Sequence, residues 1–200
     1  MTDGKETGWD KLLKIRTVGR DDSRSDQYYY PYEPTPYCVL ERLADTGYIT
    51  KKNKLIDYGC GKGRVEFFLS YQTRCQSIGV EYDRHIFRGA MDNHKTAVSR
   101  DKTLFQCINA EDYLPPADTD RFYFFNPFSV KVFQKVLGKI LNSYYEDPRE
   151  LLLFFYYPSE EYVAFLMTAE PLVFYDEVDC RDLFPGNDQR EKILIFSIDG

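Results

Sequence analysis

The chain has 200 residues, 43% of them hydrophobic, and a net charge of −6. That length suits one α/β domain and is short for two, and no apolar run approaches the roughly 18 residues of a membrane helix. The acidic balance counts against a nucleic-acid partner, since such domains are commonly basic. Lys51, Lys52 and Lys54, and the helical row Lys131, Lys135 and Lys139, read as solvated faces. In chain order, Trp9 to Ile15 predicts a short amphipathic helix, and a polar, mobile loop follows over 18–27. Thr35 and Pro36 read as the cap and first residue of a helix over 36–46. A strand over 55–58, a helix over 63–71, a strand over 77–81, a helix over 84–98 and a strand over 104–108 come next. After the Pro115-Pro116 loop, a strand over 121–125 leads to a helix from Val130 to Tyr145, where Val132, Val136 and Ile140 recur at helical spacing. Leu151 to Tyr156 is a continuous apolar run, the pattern of a central parallel strand. A helix near 159–168 precedes two strands, Leu172 to Asp179 and Lys192 to Ile198.

Strands alternating with helices predict a parallel sheet covered on both faces. The last two strands have no helix between them and predict an antiparallel ending. The expected fold is therefore α/β: a Rossmann-like, doubly wound, mostly parallel seven-stranded sheet with a C-terminal antiparallel strand pair. Residues 1–27 read as an N-terminal segment and 28–200 as a single domain. Cys38, Cys60, Cys75, Cys107 and Cys180 are odd in number and scattered, without any C-x-x-C pair, so neither a disulfide framework nor zinc is expected. His85 and His94 are too few for a metal triad. The polar start, Met1 to Glu6, lacks a signal-peptide core, which makes the cytoplasm the expected compartment, with no membrane partner. Oligomeric state is not legible.

The most informative segment is Leu55-Ile56-Asp57-Tyr58-Gly59-Cys60-Gly61-Lys62-Gly63-Arg64. A short apolar strand ends in a carboxylate, and three glycines follow at alternate positions. Glycines in such a turn allow positive φ and close approach of a ligand. The dinucleotide fingerprint G-x-G-x-x-G does not fit, because the third glycine comes one residue early and Arg64 takes its place. Nor does the phosphate loop G-x-x-x-x-G-K-[ST] occur here. A turn that merely closes a strand–helix corner would use similar glycines, but downstream spacing favours a nucleotide-like ligand. Glu81 ends the next strand 24 positions after Asp57, near the roughly 20-residue offset of the acidic residue that binds ribose hydroxyls.

Acidic-x-Gly-x-Gly-x-Gly resembles motif I of class I S-adenosylmethionine-dependent methyltransferases, and the resemblance extends over nearly the whole chain. It implies that Asp57, Gly59, Gly61 and Gly63 hold the cofactor's amino-acid end, that Glu81 takes the ribose, and that Asn109 and Ala110 meet the adenine. Asn126-Pro127-Phe128 resembles motif IV of the amine-methylating branch, [DNS]-P-P-[YF], with one proline missing. It implies that Asn126 and the Pro127 carbonyl hold a target nitrogen, with Asn126 also at the cofactor, and that the Phe128 ring packs on a planar substrate. The Tyr/Thr/Pro segment before motif I is similar to that of small methyltransferases, including some lysine methyltransferases, and implies that Tyr32, Thr35 and Tyr37 close over the methionine end. The expected function is methyl transfer from S-adenosylmethionine to a nitrogen of an unidentified substrate, a protein side chain or small molecule being favoured over nucleic acid. The alternatives are a catalytically inactive cofactor-binding module and a nicotinamide-dependent oxidoreductase on the same sheet. Asp57, Glu81, Asn109 and Asn126 all fall at C-terminal ends of predicted strands, so all four are expected along one edge of the sheet.

Overall fold

The structure, a computed structural model, describes residues 3–19 and 33–198. Seven strands form one sheet: β1 (Lys54–Tyr58), β2 (Gln76–Glu81), β3 (Thr103–Cys107), β4 (Arg121–Phe124), β5 (Leu152–Tyr156), β6 (Leu172–Asp179) and β7 (Lys192–Ile198). Among the described residues, six α-helices accompany them: α1 (Asp3–Leu13), α2 (Tyr37–Asp45), α3 (Arg64–Thr73), α4 (Arg84–Thr96), α5 (Val130–Glu146) and α6 (Glu160–Leu166). The strand order is β3-β2-β1-β4-β5-β7-β6. β1 to β5 run parallel, and β7 is antiparallel to both β5 and β6. Order reverses between β1 and β4, which places a topological switch point at their carboxyl ends, where ligands of open α/β sheets bind.

Alternation along the strands divides the core. Tyr123 on β4 and Leu152, Phe154 and Tyr156 on β5 join the α2 and α3 side, with Leu40, Leu43, Phe67 and Phe68. Their neighbours Phe122, Phe124, Leu153 and Phe155 turn to the other face, against Phe133, Val136, Leu137 and Ile140 of α5 and Tyr162 and Leu166 of α6. This is the two-residue pleat repeat acting on strands whose every position is buried. Burial of each such side chain contributes about 1.5–3 kcal/mol, so these layers dominate stability. Asp83, Ser129 and Ser159 cap α4, α5 and α6 through side-chain oxygens, each cap being worth about 1 kcal/mol.

Two sequence expectations need revision. α1 begins well before Trp9 and ends at Leu13; the glycines at 4 and 8 disguise it, while packing of Trp9 on Phe68, 4.9 Å between ring centroids, holds it in place. Thr35 does not cap α2: Pro36 occupies the cap position with no side-chain cap bond, and the Thr35 hydroxyl is 3.0 Å from the Tyr123 hydroxyl instead. Of the loop expected over 18–27, residues 20–27 lie outside the described residues, as does the cofactor candidate Tyr32. Among the described residues, no helix is long and apolar enough to cross a membrane.

Candidate functional site

β1 delivers Asp57 and then a turn in which Gly59, Gly61 and Gly63 all have positive φ, +84°, +57° and +86°. Two neighbours require the absence of a side chain. A Cβ on Gly59 would lie 2.5 Å from the Pro127 Cβ, and one on Gly63 would lie 2.7 Å from the Phe105 ring. The turn is fastened to β2 by Gly59 N–H and Cys60 N–H, which donate to the Val80 carbonyl at 2.8 and 3.1 Å. Gly61 N–H donates to Glu81 Oε2 at 3.1 Å, and Asp83 N–H to Glu81 Oε1 at 2.8 Å. Glu81 therefore sits at the end of β2, tied to the turn, with its carboxylate pinned by two backbone amides.

Beneath this turn three carboxyl groups lie buried together. Asp57 and Glu81 are 3% and 6% exposed, and Glu66, on the first turn of α3, is fully buried. Burial pushes Glu81 up to about 7 even though the amides of Asp83 and Gly61 favour its charged form. Burial raises Asp57 well above the usual carboxylate range, and the Glu81 charge adds to it. Glu66 is raised likewise, by burial first and by Asp57 next. Neither Glu66 oxygen has a hydrogen-bond partner among the described residues; the neighbouring Cys60 thiol is at best a weak donor. A buried, unpartnered carboxyl is costly, so this cluster is not explained by packing. Sequence reasoning missed Glu66, although a charged residue inside Val65-Glu66-Phe67-Phe68-Leu69 was a visible anomaly.

Arg64, the first residue of α3, is 3% exposed. Its Nη1 pairs with Glu6 and donates to the Thr35 carbonyl at 3.1 Å, its Nε donates to Thr17 Oγ1 at 2.7 Å, and its guanidinium lies 4.3 Å from the centre of the Tyr37 ring. The fork matches three oxygens at once and so ties the start of α1, the chain at Thr17 and the entry to α2 to the glycine turn. Tyr37 belongs to this bundle and not to a ligand surface. It is 1% exposed, and its hydroxyl donates to Asp10 at 2.5 Å. Thr35 is equally buried, with both its oxygens engaged. As direct cofactor contacts through their side chains, Tyr37 and Thr35 are therefore corrected to structural roles.

Asn109 follows β3, and its Oδ1 accepts from the Glu111 N–H at 3.0 Å, an Asx turn; Ala110 beside it is buried. Asn126 follows β4 with φ +39°, and its Nδ2 donates to the Tyr157 carbonyl at 2.5 Å. Tyr157, just past β5, also has positive φ, +51°. Positive φ is uncommon for an asparagine and a genuine outlier for a ring-bearing residue. Their meeting here concentrates strain at one edge of the sheet, as functional sites tend to do. Phe128 corrects a further expectation. Its ring is 2% exposed inside the α5 face of the core and cannot wall a substrate; its carbonyl accepts from the Tyr162 hydroxyl at 2.8 Å. The ring that does face outward is Phe125, half-buried and 4.7 Å from the Tyr156 ring. Asp57, Glu81, Asn109 and Asn126 thus stand at the carboxyl ends of four adjacent parallel strands, on one edge. Among the described residues, no group of three or more His, Cys, Asp or Glu side chains could hold a metal ion.

No protein-family model matches the sequence. No curated protein matches it. Solved structures share its fold. A putative RNA methyltransferase from Pyrococcus horikoshii superposes with a TM-score of 0.63 at 14% identity, over 98% of both chains. An RNA methyltransferase from Salinibacter ruber, in complex with S-adenosyl-L-homocysteine, gives 0.58 at 18% identity over 83% of this chain and 94% of its own. A TehB-like SAM-dependent methyltransferase from Corynebacterium glutamicum gives 0.57 at 16% identity over 99% of this chain and 98% of its own. The chain has the Rossmann-like fold of class I S-adenosylmethionine-dependent methyltransferases, with a seven-stranded, mostly parallel sheet.

Proposed function

We propose that the protein is an S-adenosylmethionine-dependent methyltransferase that acts on a nitrogen, on a protein side chain in preference to a small molecule. The observation that carries this reading is the set of three buried carboxyls, Asp57, Glu66 and Glu81, at a glycine turn on the switch point of the sheet. An acceptor set of that kind fits a cationic ligand with a diol and no phosphate. It opposes a dinucleotide, whose pyrophosphate needs free amides at the helix start, because the Gly61 N–H is already given to Glu81. Asp57 is assigned to the cofactor's ammonium group, Glu81 to its ribose, and the Asn109–Ala110 segment to its adenine.

When bound, S-adenosylmethionine supplies an activated methyl group on a sulfonium, open to in-line displacement by a nitrogen lone pair. The chain's own part is orientation. With its Nδ2 spent on the Tyr157 carbonyl, Asn126 keeps Oδ1 as an acceptor for the target N–H, and the Pro127 carbonyl is the second acceptor. Phe125, Tyr156 and Tyr157 shield that point from water. No catalytic base is required for a neutral amine, whose lone pair is free to react.

Calorimetric titration with S-adenosylmethionine and S-adenosylhomocysteine tests this, with NAD as comparison and Glu81→Ala as control. Saturable binding of the sulfonium pair, weakened by the substitution, is expected. Binding of NAD alone, or of neither by folded protein, refutes the reading. Labelled methyl transfer to cell extract is expected to fall in Asn126→Ala while cofactor affinity holds; unchanged turnover would remove Asn126 from the acceptor role.

A further inference from the structure

A cavity of about 510 Å³ opens beside Asn126, between the carboxyl ends of β4 and β5 and the chain that links β6 to β7. That volume is within the roughly 300–1,000 Å³ of small-ligand sites. Its apolar walls are the rings of Phe125, Tyr156, Tyr157 and Phe184. Phe125 meets Tyr156 at 4.7 Å and Tyr157 at 6.4 Å, tilted to one and edge-on to the other, so the rings form a corner and not a flat stack.

The polar lining is biased toward acid. Glu33 and Glu191 both line the cavity. Glu191 is half-buried and accepts from the Tyr156 hydroxyl at 2.8 Å. Burial raises its carboxyl, the Tyr156 hydroxyl and the Arg190 charge work against this, and the charges of Asp188 and Glu33 add to it. Two carboxylates therefore repel across a space lined by aromatic rings. Among the described residues of the lining the one cation is Arg190, whose charge offsets part of that of Glu191. Its guanidinium lies 4.0 Å from the centre of the Tyr157 ring and donates to the Pro158 and Tyr157 carbonyls at 3.3 Å each. It shows that a ring of this wall accepts a cation on its face.

We propose that this cavity is the acceptor site and takes a primary alkylamine, with the carbon stem against Phe125 and Tyr156 and the nitrogen between Glu191 and Asn126. The proposal rests on the reading of Asn126 as the acceptor end of a methyltransferase site. Aromatic walls suit an apolar stem with a charged head, and the carboxylates suit the ammonium form in which such an amine arrives at neutral pH; that ammonium gives its proton to the Glu191 carboxylate or to water before the freed lone pair can displace the methyl group. A nucleotide substrate could stack on Phe125, but its phosphates would meet Glu33 and Glu191.

The test is titration of protein saturated with S-adenosylhomocysteine, using N-acetyl-lysine methylamide as the amine probe and adenosine monophosphate as the competing class. Saturable binding of the amine is expected, with affinity about tenfold lower in Glu191→Gln, a loss of one charge-assisted contact. Phe125→Leu is expected to weaken the amine as well, while S-adenosylhomocysteine binds both variants as it binds the wild type. Failure of the amine to bind, indifference to both substitutions, or binding of the nucleotide in its place overturns the proposal. If S-adenosylhomocysteine itself does not bind, the methyltransferase reading fails. The amine titration on the same protein without it then decides the cavity separately, by whether binding still depends on Glu191.

Discussion

Replacing Arg64 by Met tests whether the N-terminal segment is held to the glycine turn by one side chain. Methionine keeps the apolar stem under Tyr37 and removes the guanidinium. The substitution deletes the ion pair with Glu6, the bonds to the Thr17 hydroxyl and the Thr35 carbonyl, and the contact over the Tyr37 ring. Breaking one side of a buried pair costs about 3–5 kcal/mol, because the remaining charge is stranded. The Glu6 side chain is 20% exposed, so water recovers part of that, and a loss of about 3 kcal/mol is expected in urea denaturation. Domains of this kind have about 5–15 kcal/mol in total, so the variant stays folded. Asp10 still binds the Tyr37 hydroxyl and the Thr17 N–H and hydroxyl, so the loss is expected to be local: amide exchange accelerates over 3–17 and not in β1, β4 or β5. Adding Glu6→Gln removes the stranded charge, and the double variant is expected to regain about half of the loss, with a coupling above about 1 kcal/mol. A loss under about 1 kcal/mol in Arg64→Met, with additive behaviour in the double variant and unchanged exchange over 3–17, would refute the tether.

Gly59→Ala places a Cβ 2.5 Å from that of Pro127 at a φ of +84°. The left-handed conformation adds about 1–2 kcal/mol and the overlap about 1–3 kcal/mol. A lower urea midpoint should accompany weaker S-adenosylhomocysteine binding, and a neutral effect on both would mean the two loops are not in contact. Glu66→Gln tests the buried acid through pH. The folded-state pKa is raised, by burial above all, so the native chain keeps a proton that the unfolded chain releases from about pH 4.3 upward. Wild-type stability therefore falls as pH rises from that point toward the folded value, and Glu81, held at about 7, contributes in the same window. A neutral amide at this position carries no such penalty, so the variant is expected to match wild type near pH 4 and to exceed it by more than about 1 kcal/mol at pH 8. Equal urea midpoints at both pH values would contradict the buried neutral acid.

The sheet was largely legible because its strands are short apolar runs bounded by turn residues. β6 and β7 fall where the sequence puts them, and β1 to β5 differ from expectation by a residue or two. The four strand-end residues were legible for the same reason, since strand ends fix an edge. Legibility failed where direction, not position, decides. Phe128 shares a tripeptide with Asn126, but the positive φ at Asn126 turns the chain so that Phe128 enters the core and Phe125 faces out. Thr35 has the chemistry of a cap, yet a buried tyrosine hydroxyl 88 positions away claims its oxygen. Arg64 was legible as the residue that departs from the dinucleotide fingerprint and closes an Asp-x-Gly-x-Gly-x-Gly-Arg motif; its partners at 6, 17 and 35 are brought together only by the tertiary fold.

The glycines and the carboxyls of the motif answer to different demands. Gly59 is required by Pro127 beyond β4 and Gly63 by Phe105 on β3 and Phe67 on α3, while Gly79 on β2 leaves room for Glu66 and Cys60. These contacts join the turn to its neighbours whether or not a ligand is present, so glycine spacing alone says little about the ligand. The carboxyls are another matter. A leucine at 66 and a neutral residue at 57 would satisfy the same packing without the cost of burying acid in a space of low polarity, whereas Glu81 also serves the turn by accepting from the Gly61 and Asp83 amides. Residues that lower stability without serving the fold are most economically read as serving a partner, and three acids together favour one with positive charge. Glu81, held at about 7 in the protein alone, is poised to ionise fully beside such a charge. On this argument the acids carry the functional information of the motif, and the glycines carry the architecture that lets a ligand come close to them.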